Sequence, residues 1–173
     1  MKFKTLLIIL ALLFLSIGSA WQYQRVNQKV KQPLVVEKIF HQGEWVTDQN
    51  VRFKVTQVEH QSATTEKRVK VHLQIQQLGA YRYGLKSGNA NLAENMWLNI
   101  PYAISNQSRG LTHPSGQLFT DQELHSPGLK SGFLAFTVPD ESYRARLQEA
   151  RFSFLLSQSS GQFFKYSLLL HLT

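Results

Sequence analysis

The sequence predicts an all-β domain, an antiparallel β-sandwich of about seven to nine strands, carried behind a membrane-directed N-terminal helix. Three observations predict it. Val69, Val71, Leu73 and Ile75 alternate with Lys70, His72, Gln74 and Gln76, a period of two that belongs to a half-buried strand. Pro127 and Gly128 turn the chain into Leu134, Phe136 and Val138, which share one side of a sheet before Pro139 and Asp140 close the run. This second stretch reads as an interior strand. Finally, Lys2 and Lys4 precede a run from Thr5 to Trp21 that has no charge, the layout of an export signal.

Composition bounds the rest. With 173 residues, 43% hydrophobic and 17% charged, the chain has material for one cored domain and a short appendage. The absence of cysteine excludes disulfides, a thiolate zinc site and lipid attachment through an N-terminal cysteine. A formal net charge of +8 favours anionic surroundings such as lipid headgroups, wall polymers or nucleic acid, although a solvated basic surface gives the same figure.

Three segments follow from this. Residues 1–21 form a signal peptide or signal anchor, 22–33 a basic polar tether, and 34–173 the β-domain. Both fates of the leader are open: small Gly18 and Ala20 suit cleavage after Ala20, while the uncharged run is near the roughly 17-residue minimum for a spanning helix. A retained helix would put Trp21 and Tyr23 at headgroup level, and Arg25, Lys29, Lys31 and Lys38 beyond it. The expected address is then the cell membrane, single-pass, with the C-terminal domain outside; cleavage would release the domain.

Within the domain, strands are expected at Leu34–Phe40, Glu44–Thr47, Val51–Val58, Val69–Ile75, Leu98–Ile104, Leu134–Val138, Phe152–Leu156 and Phe164–Leu172. Pro101 pushes the fifth of these towards an edge or a bulge. Gln77–Asn95, broken by Gly79, Gly84 and Gly88, and Asn106–Gly116 are expected as long loops, the usual place for binding residues. Gln117–Leu124 reads as a short strand or turn, and Glu141–Glu149 as a helical turn buried through Tyr143 and Leu147.

Pro127, Gly128, Gly132, Leu134, Ala135, Phe136, Val138 and Pro139 together spell a Pro-Gly turn, a spaced glycine and an apolar-Ala-Phe-x-Val-Pro strand. This resembles the signature of telokin-like, immunoglobulin-fold domains of Gram-positive cell-surface proteins and lipoproteins, over roughly Lys38–Thr173. The resemblance implies an exported immunoglobulin-like sandwich of two antiparallel sheets, without an assigned activity or agreed catalytic residues. The chain departs from that family in having no lipobox cysteine and a short basic spacer.

Catalytic motifs are not found in the sequence. Six histidines lack His-x-x-x-His or His-x-His spacing, and no Gly-x-Ser-x-Gly, Ser-x-x-Lys or P-loop lysine is present. His113, Asp121, Glu123 and His125 form the one cluster that could serve a metal-dependent hydrolase if they converge. Tyr81, Arg82, Tyr83 and Lys86, with Arg109, interleave rings and cations in a way that suits sugars or anions. The expectation is therefore a non-enzymatic binding or accessory module without cofactor, held to the membrane through its N-terminal helix and contacting a partner protein or an anionic wall polymer. An exported address counts against nucleic acid. A secreted hydrolase and a structural subunit of a membrane machine are the alternatives. Phe136→Ala should destabilise the domain by about 3–5 kcal/mol in a urea titration, the range for truncating a buried Phe.

Overall fold

The computed structural model describes residues 3–29, 35–84, 86–100, 105–144 and 149–172. The chain divides into two compact units, 1–34 and 35–173. In the first, helix α1 (Phe3–Lys29) contains a 21-residue window, Leu7–Asn27, with mean hydropathy 1.5 and none of it buried. That window is long and apolar enough to cross a membrane, and a cleaved signal sequence has the same properties. The helix runs on through Gln22–Lys29, the start of the segment expected as a tether, and the rest of that segment lies outside the described residues.

The second unit holds two sheets. Strands β1 (Val35–Ile39), β2 (Val46–Thr47), β3 (Val51–Ser62) and β4 (Glu66–Gln77) come first, followed by the two-residue strands β5 (Arg82–Tyr83) and β6 (Lys86–Ser87). After a 3-10 turn at Leu92–Asn95 come β7 (Met96–Asn99), β8 (Ser105–Gln107), helix α2 (Asp121–His125) and β9 (Leu129–Pro139). Helix α3 (Asp140–Arg144), β10 (Glu149–Ser157) and β11 (Phe163–His171) complete it. One sheet is antiparallel in the order β2-β3-β4-β9. In the other, β1 runs parallel to β11 and β11 pairs β10, whose far edge takes β5 and β7 in turn.

This architecture corrects the expected all-β, immunoglobulin-like antiparallel sandwich. The fold is mixed: two β-sheets and three α-helices distributed through the chain, with a parallel β1–β11 pair. Local chemistry explains the unexpected helix. Thr120 and Glu123 form a capping box, in which Glu123 accepts from the Thr120 amide at 2.7 Å and its own amide donates to the Thr120 hydroxyl at 3.3 Å. Gln117–Leu124 therefore leads into α2 where a strand or turn was expected. The interior reading of the Leu134–Val138 strand is corrected too, since β9 stands at the edge of its sheet. Pro101, Tyr102, Ile104 and Leu147, to which strand or helix contacts were assigned, lie outside the described residues.

The core forms where the inward positions of the two sheets meet. Val51, Phe53, Val55, Val69, Val71, Leu73 and Ile75 face Met96, Leu98, Phe152, Phe154 and Leu156 in one apolar cluster. Helix α3 closes one end. Asp140 takes the Arg144 guanidinium at 2.5 Å and faces the buried Lys67 ammonium at 3.8 Å, while the Tyr143 hydroxyl accepts from the Leu172 amide at 2.6 Å.

On the outward side of the parallel pair, the exposed Glu37 carboxylate accepts from the Ser167 hydroxyl at 2.7 Å and stands 3.2 Å from Lys165 and 3.4 Å from Arg151. The Ser167 hydrogen bond first, and the two cations after it, hold this carboxyl below its ordinary value. A depressed carboxylate stabilises the fold above its unfolded pKa, about 4.3, and that contribution disappears as pH falls through the lower folded value. Glu37→Gln should therefore lower stability at neutral pH and flatten the acid side of the stability curve, read by urea midpoints between about pH 3 and pH 7.

Candidate functional site

Edge strands expose unpaired backbone groups and need cover. For β9 that cover is the 108–119 loop. The Thr112 amide donates to the Phe133 carbonyl at 2.9 Å, the Phe133 amide returns to Thr112 at 2.8 Å, and the Ala135 amide donates to the Ser108 hydroxyl at 3.3 Å. The loop also closes on itself through His113 to Gln117 at 2.7 Å and Phe119 to Leu111 at 2.9 Å. Its approach depends on Gly132, where a Cβ would lie 2.5 Å from the Thr112 carbonyl oxygen.

Because β9 alternates, Phe133, Ala135 and Thr137 point away from the core on the side where the loop stands clear of the sheet. The result is an open groove of about 690 Å³ lined by Arg109, Thr112, Leu118, Phe133, Ala135 and Thr137. Arg109 is exposed on its wall and makes no ion pair among the described residues. The arrangement offers an apolar floor, hydroxyls and one guanidinium, which is the equipment for holding an anionic or hydroxylated chain.

The other expected binding residues lie elsewhere. Tyr83 is 2% exposed and packs between Tyr81, 6.5 Å away, and Phe154, 5.7 Å away. Its hydroxyl donates to Gln77 Oε1, and burial pushes the phenol far above its ordinary range. Tyr81 donates to the His125 carbonyl at 3.1 Å with its ring 5.3 Å from the imidazole. Arg82 points to solvent, and its carbonyl accepts from the Ser157 hydroxyl at 3.1 Å; Lys86 is paired with Tyr83 in the β5–β6 hairpin.

Of the histidine-carboxylate cluster, only His113 and Glu123 meet through their side chains, at 3.1 Å, with the imidazole stacked 3.5 Å from the Phe119 ring. Hydrogen bonds from the Thr120 amide and hydroxyl, then from His113, hold the Glu123 carboxyl below its ordinary value. His125 Nδ1 instead donates to the Asp121 backbone carbonyl at 2.8 Å. Among the described residues no group of three His, Cys, Asp or Glu side chains is placed to hold a metal ion. Phe133, Thr112 and Leu118 were not singled out by sequence reasoning. Outward parity of Phe133 against Leu134 and Phe136 was the available signal.

Neither a family model nor a curated protein matches the chain. Among solved structures, it is similar to an uncharacterized beta-sandwich protein from Clostridium difficile 630, at 11% identity and a TM-score of 0.50. That match covers 79% of this chain and 97% of the other. The likeness concerns fold alone. It corrects the telokin-like, immunoglobulin-fold and Gram-positive cell-surface resemblance, because no family model supports it and the residues that carried it form an edge strand with a covering loop.

Gly132→Ala should cost about 1–3 kcal/mol, the range for forcing extra volume into a close contact. Backbone stands opposite the new methyl, so the loop must lift. Hydrogen exchange at the Thr112 and Phe133 amides should accelerate more than exchange at the β3–β4 pairs.

Proposed function

We propose that the chain is a membrane-tethered, non-catalytic binding or accessory module that works at the outer face of a bacterial membrane, where its β-domain meets an anionic wall polymer or a partner protein. The observation that carries this reading is the union of an apolar helix long enough to span a bilayer with a β-domain whose groove presents an unpaired arginine. Charge supports it. Lys2 and Lys4 precede the apolar window and Arg25 falls near its end, with the Arg25 guanidinium 5.4 Å from the Trp21 ring in an arrangement suited to the headgroup zone. Loop residues on a rigid sheet scaffold are a frequent setting for recognition.

Fractionation with intact-mass measurement tests the reading. Full-length protein in the membrane fraction is the expected result. A species beginning at Trp21 in the medium would replace the tethered module by a released one, and protein confined to the cytoplasm would overturn the proposal.

A further inference from the structure

The outward face of the β2-β3-β4-β9 sheet carries cations that lack acidic partners. Arg52 and Lys54 sit two residues apart on β3 and point outward because Val51, Phe53 and Val55 point in. Trp45, 40% exposed, precedes the Val46–Phe53 pair and so lies beside them. The Lys54 ammonium is 4.8 Å and the Arg52 guanidinium 5.1 Å from the centroid of that ring. On β4 the Lys70 ammonium is 5.2 Å from the Phe133 ring, which is also a wall of the groove beside Arg109.

This face carries Arg52, Lys54, Arg68 and Lys70 against two acids, Glu59, which stands opposite Lys70 in the register, and Glu66. Glu59 stands 3.2 Å from His72 and Glu66 2.8 Å from Arg68, whereas Arg52 bonds only the neutral Gln76 amide, at 2.9 Å. Arg52, Lys54 and Lys70 make no ion pair among the described residues. The opposite sheet behaves differently, since Lys165 and Arg151 there converge on Glu37. Lys38 and Arg82 on that sheet also make no ion pair among the described residues, but they stand apart from each other, on β1 and β5, and from the groove.

We infer that this face, from Trp45 across Arg52, Lys54 and Lys70 to Phe133 and Arg109, binds a phosphodiester-linked polyol or sugar polymer. Charge complementarity selects an anion. Arg52 and Lys54, two apart on one strand, stand about 7 Å from each other, and Lys70 lies four residues beyond Gln74, the partner of Lys54, so the charges are spread along the sheet as an extended polyanion requires. The exposed Trp45 ring and the partly exposed Phe133 ring beside them can stack on the carbon skeleton of a polyol or sugar. The face leads into an open groove, which accommodates a chain, whereas a bilayer surface calls for a flat or protruding one. The inference rests on the binding-module reading and supplies its ligand class.

The test uses the full chain in neutral-detergent micelles, titrated calorimetrically with soluble poly(glycerol phosphate). Neutral dextran and bilayer discs of phosphatidylglycerol are the comparison ligands. Binding to the phosphate polymer should weaken by about tenfold or more between 50 and 200 mM salt, as for other polyanions, and dextran should give no heat. The doubly substituted Lys54→Gln, Lys70→Gln protein should lose about tenfold in affinity, while Arg82→Gln, at an exposed cation of the other sheet, should lose less than about twofold. Unchanged thermal melts would show both variants folded. Absence of polymer binding, an equal loss in Arg82→Gln, equal binding of dextran, or preference for the lipid discs would each overturn the inference. A membrane-located protein that ignores the polymer defeats this inference alone, and a cytoplasmic protein that binds it defeats the tethered reading alone.

Discussion

Phe53 is the contact on which the two sheets depend. Its fully buried ring meets Phe40 at 5.4 Å, Phe154 at 5.3 Å and Tyr166 at 5.7 Å, all edge-on, so one side chain of the four-stranded sheet engages strands β10 and β11 of the other. Edge-to-face pairs add about 0.5–1.5 kcal/mol each beyond the area they bury. Tyr166 then ties the aromatic cluster to the Asp48 side chain. Its hydroxyl donates to Asp48 at 2.9 Å, and the same carboxylate receives the Gln158 amide at 3.0 Å. The β2–β3 turn and the β10–β11 hairpin are joined by that carboxylate. Burial, followed by the hydrogen bond to Asp48 and then its charge, drives the Tyr166 phenol far above its ordinary range.

The interior decides what the exterior can show. Strand side chains alternate, so the register that seats Phe53 and Val55 in the core obliges Arg52 and Lys54 to face water, and a slip of one residue would exchange the two sets. A β-bulge between Val55 and Gln57 shifts the pairing without altering this outcome: beyond it Val58 still opposes Val71 inside, and Glu59 opposes Lys70 outside. The groove follows from the same rule on β9, because burying Leu134 and Phe136 turns Phe133 and Ala135 towards the covering loop. The outward residues can therefore change without disturbing the core.

Much of this was legible along the chain, and the reasons for the failures are physical. Long alternating runs such as Val69–Ile75 announced both faces of β4, since each inward residue predicts its outward neighbour. Strands β5 and β6, at two residues each, are too short to display any period, so their region read as loop. Helix α2 carried a local signal, Thr120-x-x-Glu123, that the surrounding polar residues concealed. Whether β9 is central or peripheral is not written in β9. Its inward residues are the same in either place, and the deciding hydrogen bonds come from Thr112, 21 positions earlier. The parallel β1–β11 pair is a more remote case, joining the two ends of the domain. At the site, proximity in sequence brought His113 to Glu123, whereas the Tyr81–His125 contact, 44 residues apart, had no signature.

Charge is segregated more strongly than its total suggests. Five of the nineteen Lys and Arg residues, and none of the eleven acids, precede residue 35, so the β-domain is closer to balance than a net +8 implies. Its cationic face arises from where the acids go. Asp48 is buried under Tyr166, Glu37 is held by Lys165 and Arg151, Asp121 and Glu123 occupy the first turn of α2, and Asp140 and Glu141 that of α3. Each of these carboxylates is used by a hydrogen bond, an ion pair or a helix terminus. The outward side of the four-stranded sheet sets Arg52, Lys54, Arg68 and Lys70 against Glu59 and Glu66, and so projects an unbalanced field from a domain with little excess charge. A field of that origin is directional. It orients an approaching polyanion towards one face, while a uniformly basic surface would attract it everywhere and select no register.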